Sequence, residues 1–246
     1  MRGAKSNNNR PAKVPALDKS IVLVGLMGAG KSSIGRLLSR HLGLEFVDAD
    51  TEIEAAAGAS IEEIFEEHGE EAFRSGERRV IARLLAGPVR VIATGGGAFM
   101  DEATRTAIKN SATSVWLKAD LDTLLKRVSR RGGRPLLKNK DPRRVLQKLV
   151  AERGPVYGKA DIIVETSDNP PADVADRVIT AIEAYLGIPA SAVPRLRPYR
   201  GSKDGAKDNP KGAKAGAQRA KKPRNRGPGH RPRRPRRRSG VGPTNP

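Results

Sequence analysis

The chain has 246 residues, no cysteine and a formal net charge of +20 at neutral pH. That length holds one α/β domain with appendages, and no apolar run approaches the ~18 residues of a membrane span. Without cysteine there is no disulfide framework, no thiolate metal site and no cysteine nucleophile, a composition that fits a reducing cytoplasm. The charge is uneven: residues 1–19 carry five Lys/Arg against one acid, residues 195–246 carry eighteen against two, and residues 20–194 hold 24 of each sign. A neutral domain with two basic ends is expected.

In chain order, the Asn-rich leader (1–19) lacks the apolar core of a secretory signal and reads as flexible. "IVLV" from Ile21 predicts a strand, and "GLMGAGKSS" follows it at once. Gly25, Gly30, Lys31 and Ser32 fit GxxxxGK[ST] between a strand and a helix. Gly28, Ala29, Gly30, Lys31, Ser32 and Ser33 are therefore the expected cradle for ATP phosphates, with Lys31 on the β- and γ-phosphates and the Ser32 hydroxyl on Mg²⁺. A chance glycine-rich turn is the duller alternative, and the flanking strand and helix argue against it. "EFVDAD" predicts a second strand whose Asp48 and Asp50, at i and i+2, project to the same side. Either aspartate also suits a helix cap before "TEIE".

Ser60 and Glu63 form a capping box for "IEEIFEEH", and "GEEAFRSGERRVIARLLAG" repeats apolar positions at helical spacing until Gly87–Pro88. It places Arg74 one turn before Glu77, and pairing with Glu70, Glu71 or Glu77 is the plain reading of that arginine. "VRVIA" predicts a third strand running into "TGGGAF", whose glycines let backbone come close to a ligand. After a fourth strand, "TSVWL", comes "RVSRRGGRPLLKN", with two glycines and the basic residues Arg130, Arg131, Arg134 and Lys138, which reads as a mobile lid. Asp141 and Pro142 cap the next helix, which ends in "AERGPVY" with Arg153 near its C-terminus, where it could also serve the helix dipole. "DIIVE" predicts a fifth strand. Strands alternating with amphipathic helices imply a mainly parallel sheet, with ligands beyond the carboxyl ends of the strands. "KNKD" does not match a guanine-reading NKxD motif, so an adenine nucleotide is favoured.

The phosphate loop, "FVDAD", "FRSGE", "VIATGGGAF", the lid-like segment and "AERGPVY", in this order over residues 20–187, resemble the shikimate kinase family. The resemblance implies a P-loop α/β fold of three layers, with a five-stranded parallel sheet like that of nucleoside monophosphate kinases. The implied reaction moves the γ-phosphoryl group of ATP to the 3-hydroxyl of shikimate, with Mg²⁺. It also implies roles: Asp50 holds the substrate hydroxyls and serves as base or orienting group, and Asp48 stands near Mg²⁺ with Ser32. Arg74 and Arg153 grip the carboxylate, Gly96 lines the pocket, and Arg134 closes on the ATP phosphates. The lid is short for the family, and the residue among Arg127, Arg130 and Arg131 that reaches adenine stays open, as do the contacts of Asp168 and Asn169.

A kinase of gluconate or of a nucleoside monophosphate is the competing enzyme, although few aromatic residues are available to stack a second base. The tail (195–246), rich in Gly, Pro, Lys and Arg and without large apolar clusters, reads as disordered. It is suited to weak, nonspecific contact with nucleic acid. The expected protein is a monomeric cytoplasmic enzyme (domain 20–194) with ATP and shikimate as its partners and no membrane contact.

Overall fold

The computed structural model describes residues 17–130, 141–166 and 169–188. The leader, the tail, Arg131, Arg134, Lys138 and Asp168 fall outside them, and so does the lid reading.

Five parallel strands form one sheet in the order β2-β3-β1-β4-β5. They are β1 (Ser20–Val24), β2 (Glu45–Asp48), β3 (Arg90–Ala93), β4 (Ala112–Ala119) and β5 (Ile162–Thr166). Each predicted apolar run is a strand. Ile21, Val22, Leu23 and Val24 of β1 are wholly buried, as expected of a central parallel strand covered on both faces. The edge strand β5 instead alternates, with Ile163 exposed between buried Ile162 and Val164.

Among the described residues, seven α-helices connect and follow the strands: α1 (Lys31–Leu42), α2 (Ala49–Ala57), α3 (Ile61–Leu85), α4 (Glu102–Ser111), α5 (Leu121–Ser129), α6 (Pro142–Tyr157) and α7 (Pro171–Leu186). α1 packs on β3 and α7, while α3 packs on α4, which lies against β4. Right-handed crossovers put α1 on one face of the sheet and α3 and α4 on the other, which makes three layers.

Local chemistry sets the helix ends. The Ser60–Glu63 capping box is present, and Asp141 caps α6 ahead of Pro142. α3 is two helical segments joined at Gly69, whose φ of 78° and ψ of 175° break the regular geometry. Gly35 of α1 lies against Phe46 of β2, with a side-chain carbon of Leu23 3.2 Å from where a β-carbon would stand. The bare backbone lets α1 lie close to β2, which seats the carboxyl end of that strand beside the phosphate loop.

Candidate active site

The loop after β1 turns back on itself through Gly25, Gly28 and Gly30, with φ of 135°, 82° and 100°. These are values that side chains resist. Gly30 is the N-cap of α1, so the first-turn N–H groups of Lys31, Ser32 and Ser33 point out of the helix end. Lys31 Nζ donates to the carbonyls of Gly25 and Leu26 at 2.7 and 3.0 Å, which holds the ammonium over the loop. Ser32 Oγ donates to Asp48 Oδ2 at 2.8 Å, so the two residues expected around Mg²⁺ meet. A hydroxyl and a carboxylate fit an ion that takes one or two protein oxygens and fills its shell with water and phosphate.

The relation expected between Asp48 and Asp50 is corrected. β2 stops at Asp48 and α2 begins at Ala49, so strand alternation does not relate the two carboxylates. The preference of aspartate for the helix cap prevails. Asp48 Oδ1 accepts the Asp50 N–H at 3.2 Å while its other oxygen faces Ser32. Asp50 lies in the first turn of α2, where the helix end favours its charge.

The turn Gly95-Gly96-Gly97 after β3 gathers the remaining residues. A β-carbon on Gly95 would stand 2.7 Å from Asp50 Oδ1 and 2.9 Å from Glu77 Oε1, and one on Gly97 would stand 2.5 Å from Arg74 NH1. The missing β-carbons leave room there for charged side chains from other elements. The Gly96 carbonyl accepts from Arg153 NH1 at 2.8 Å and from the Tyr157 hydroxyl. The β-carbon position of Gly96 is 3.7 Å from Met27 N and 3.8 Å from Gly25 O, so this turn abuts the phosphate loop.

Arg74 pairs with Glu77 at 2.7 Å and Glu70 at 3.2 Å, as the plain reading of its helix had it, and also faces the glycine turn. Burial disfavours the charge of Arg74, but the two glutamates outweigh it and raise its pKa. Glu77 is 3% exposed, and burial pushes its carboxyl up against the pull of Arg74, with Asp50 adding to the rise. Its Oε1 has no hydrogen-bond partner among the described residues. Burial also pushes the Tyr157 hydroxyl up to about 12, which keeps it a proton donor.

Sequence reasoning did not single out Tyr157, although it stands one helical turn after Arg153. It placed Glu77 on the helix without its burial. Arg127 NH1 reaches the Gly28 and Ala29 carbonyls at 3.4 Å, which puts this arginine at the phosphate loop; Arg130 is exposed at the end of α5.

The sheet order, the phosphate loop on β1 and the polar cluster around the glycine turn after β3 are the arrangement of a phosphate-loop small-molecule kinase. The shikimate kinase family model matches residues 27–183, more than half of the chain, and the chain belongs to the shikimate kinase family. It is 56% identical over 172 residues to the shikimate kinase of Paramagnetospirillum magneticum, covering 70% of this chain and 88% of the relative. The enzyme of Caulobacter vibrioides is 57% identical over 168 residues, with coverage of 68% and 84%. Among solved structures, a shikimate kinase from Acinetobacter baumannii in complex with shikimate superposes with a TM-score of 0.65 at 38% identity, covering 68% of this chain and 93% of that one. The shikimate kinase of Bacteroides thetaiotaomicron gives 0.63 at 28% identity, with 67% and 98% covered. No helix among the described residues is long and apolar enough to cross a membrane.

Proposed function

We propose that the chain transfers the γ-phosphoryl group of ATP to the 3-hydroxyl of shikimate, with Asp50 receiving the hydroxyl proton or orienting that oxygen. The observation that carries the reading is the convergence of Asp50, Arg74 and Arg153 on one glycine turn that touches the phosphate loop. Two guanidiniums can fork onto a planar carboxylate, and an ionised aspartate accepts from neighbouring hydroxyls, so the pocket suits a small hydroxylated acid.

The phosphates would lie on the N–H groups from Gly28 to Ser33, and Lys31 would exchange its carbonyl partners for phosphate oxygens. Ser32 and Asp48 would hold Mg²⁺, which supplies charge neutralisation at the β- and γ-oxygens when bound. Arg127, beside the loop, would meet the nucleotide there. Phosphoryl transfer asks little covalent work of the protein, so the contribution of this chain is alignment: Asp50 at the acceptor oxygen, Arg74 and Arg153 at the far end of the substrate.

ADP release with ATP and Mg²⁺, offered shikimate, gluconate and AMP in parallel, tests the reading. Stimulation by shikimate alone is expected. Stimulation by gluconate or AMP without shikimate would overturn it.

A further inference from the structure

The Arg74 guanidinium is already engaged on every nitrogen by carboxylates of its own helix. NH1 donates to Glu77 Oε2 at 2.7 Å, while Nε and NH2 both donate to Glu70 Oε1, at 3.4 and 3.2 Å. The two acids differ in kind. The Glu77 side chain is 4% exposed and that of Glu70 is 69% exposed. A planar carboxylate can approach a guanidinium along the Nε/NH2 edge or the NH1/NH2 edge. The buried Glu77 fixes NH1, and the remaining Nε/NH2 fork is closed by a side chain that reaches in from solvent.

Glu70 directly follows Gly69, where α3 breaks, and so opens the second helical segment. A negative charge is favourable at that helix end whether or not it touches Arg74. Glu70 can therefore release the guanidinium without becoming a stranded charge.

We propose that Glu70 is a placeholder: its carboxylate closes the Nε/NH2 fork of Arg74 until the carboxylate of the acceptor substrate displaces it. This rests on the reading of Arg74 as the carboxylate ligand. The exchange replaces one carboxylate by another, so an acidic substrate finds the arginine paired before and after binding. A neutral analogue of the same shape that leaves Glu70 in place does not compete with it, so Glu70 lowers the affinity for the acid alone and sets the margin by which the site prefers the acid.

Calorimetric titration with shikimate and with its carboxamide, alongside steady-state kinetics, tests this in Glu70→Gln and Glu70→Ala. An exposed ion pair is weak, so the Kd and KM for shikimate are expected to fall about two- to five-fold in both variants. The turnover, the KM for ATP and the affinity for the carboxamide should stay as in the parent chain. Melting temperatures check the fold, and the exposure of Glu70 predicts little change. Unchanged or weaker shikimate binding in both variants, or an equal gain for the carboxamide, would overturn the placeholder role. If the parent chain itself bound no shikimate in the same titration, the functional reading would fall and the proposal with it.

Discussion

Asp50 and Glu77 are two carboxylates placed against the same glycine, each within 3 Å of the point where its β-carbon would stand. Their oxygens therefore lie within the ~6 Å over which like charges oppose each other's ionisation. The helix end favours the charge of Asp50, whereas Glu77 is buried and its carboxyl is raised above the ordinary value near 4.5. Asp50→Asn keeps size and hydrogen bonding and removes only the charge. It is expected to cut turnover by about 10²- to 10⁴-fold while leaving ATP binding intact, as measured by kinetics and nucleotide titration. Normal turnover would remove Asp50 from the chemistry. For Glu77 the direction of the shift fixes a pH dependence. A carboxyl raised on folding binds more protons in the folded state, so its stabilising contribution is present at low pH and fades as pH rises through the folded value. In melting curves from about pH 4 to 7, Glu77→Gln should therefore gain on the parent chain as pH rises. A loss of Glu77→Gln relative to the parent chain as pH rises would mean that Arg74 outweighs burial.

At the scale of elements, the site is assembled by loops and helix ends held on a rigid sheet. The turn after β3 shows how: Asp50 comes from α2, Arg74 and Glu77 from α3, and Arg153 and Tyr157 from α6. A β-carbon at Gly97 would stand 2.5, 2.7 and 2.9 Å from NH1, NH2 and Cζ of Arg74. The guanidinium ends a flexible side chain, so Gly97→Ala should fold normally and displace Arg74. Loss of one charged hydrogen-bond partner predicts a KM for shikimate raised about tenfold, with the KM for ATP unchanged. An unchanged shikimate KM would detach Arg74 from the carboxylate. The strands, the capping box and the phosphate loop were legible in the sequence, because each is written in contiguous residues with a local cause. The start of α2 was legible only as an alternative, since "EFVDAD" reads equally as extended through Asp50 until Asp48 is seen capping the Asp50 N–H. The meeting of Glu77 with Asp50, 27 positions apart, depends on how α2 and α3 pack beside β3 and has no local signature. The triple glycine was legible as a place of close approach, but that side chains fill the room at Gly95 and Gly97 needed the tertiary structure.

The whole molecule carries a separation of charge that its catalytic reading does not use. The match to the family model ends at residue 183, residues 20–194 balance 24 charges of each sign, and eighteen of the 47 Lys/Arg lie in residues 195–246. The fold positions every site residue described above within β1 to α6, so nothing in the proposed chemistry calls on the tail. Beyond Tyr199 the arginines and lysines have no interleaved aromatics, and such a run binds polyphosphate through counterion release, which gives a steep salt dependence and no sequence preference. A chain ending at residue 194 should therefore keep the kcat and both KM values of the full chain. On immobilised duplex DNA or RNA at low salt, the full chain should be retained and elute as salt rises, while the shortened chain should pass through. If the shortened chain were retained equally, the affinity would belong to the neutral domain, and the anion-binding phosphate loop would be the first place to look. If it instead lost kinase activity at normal melting temperature, the tail would have to contribute to substrate binding or to closure over the nucleotide.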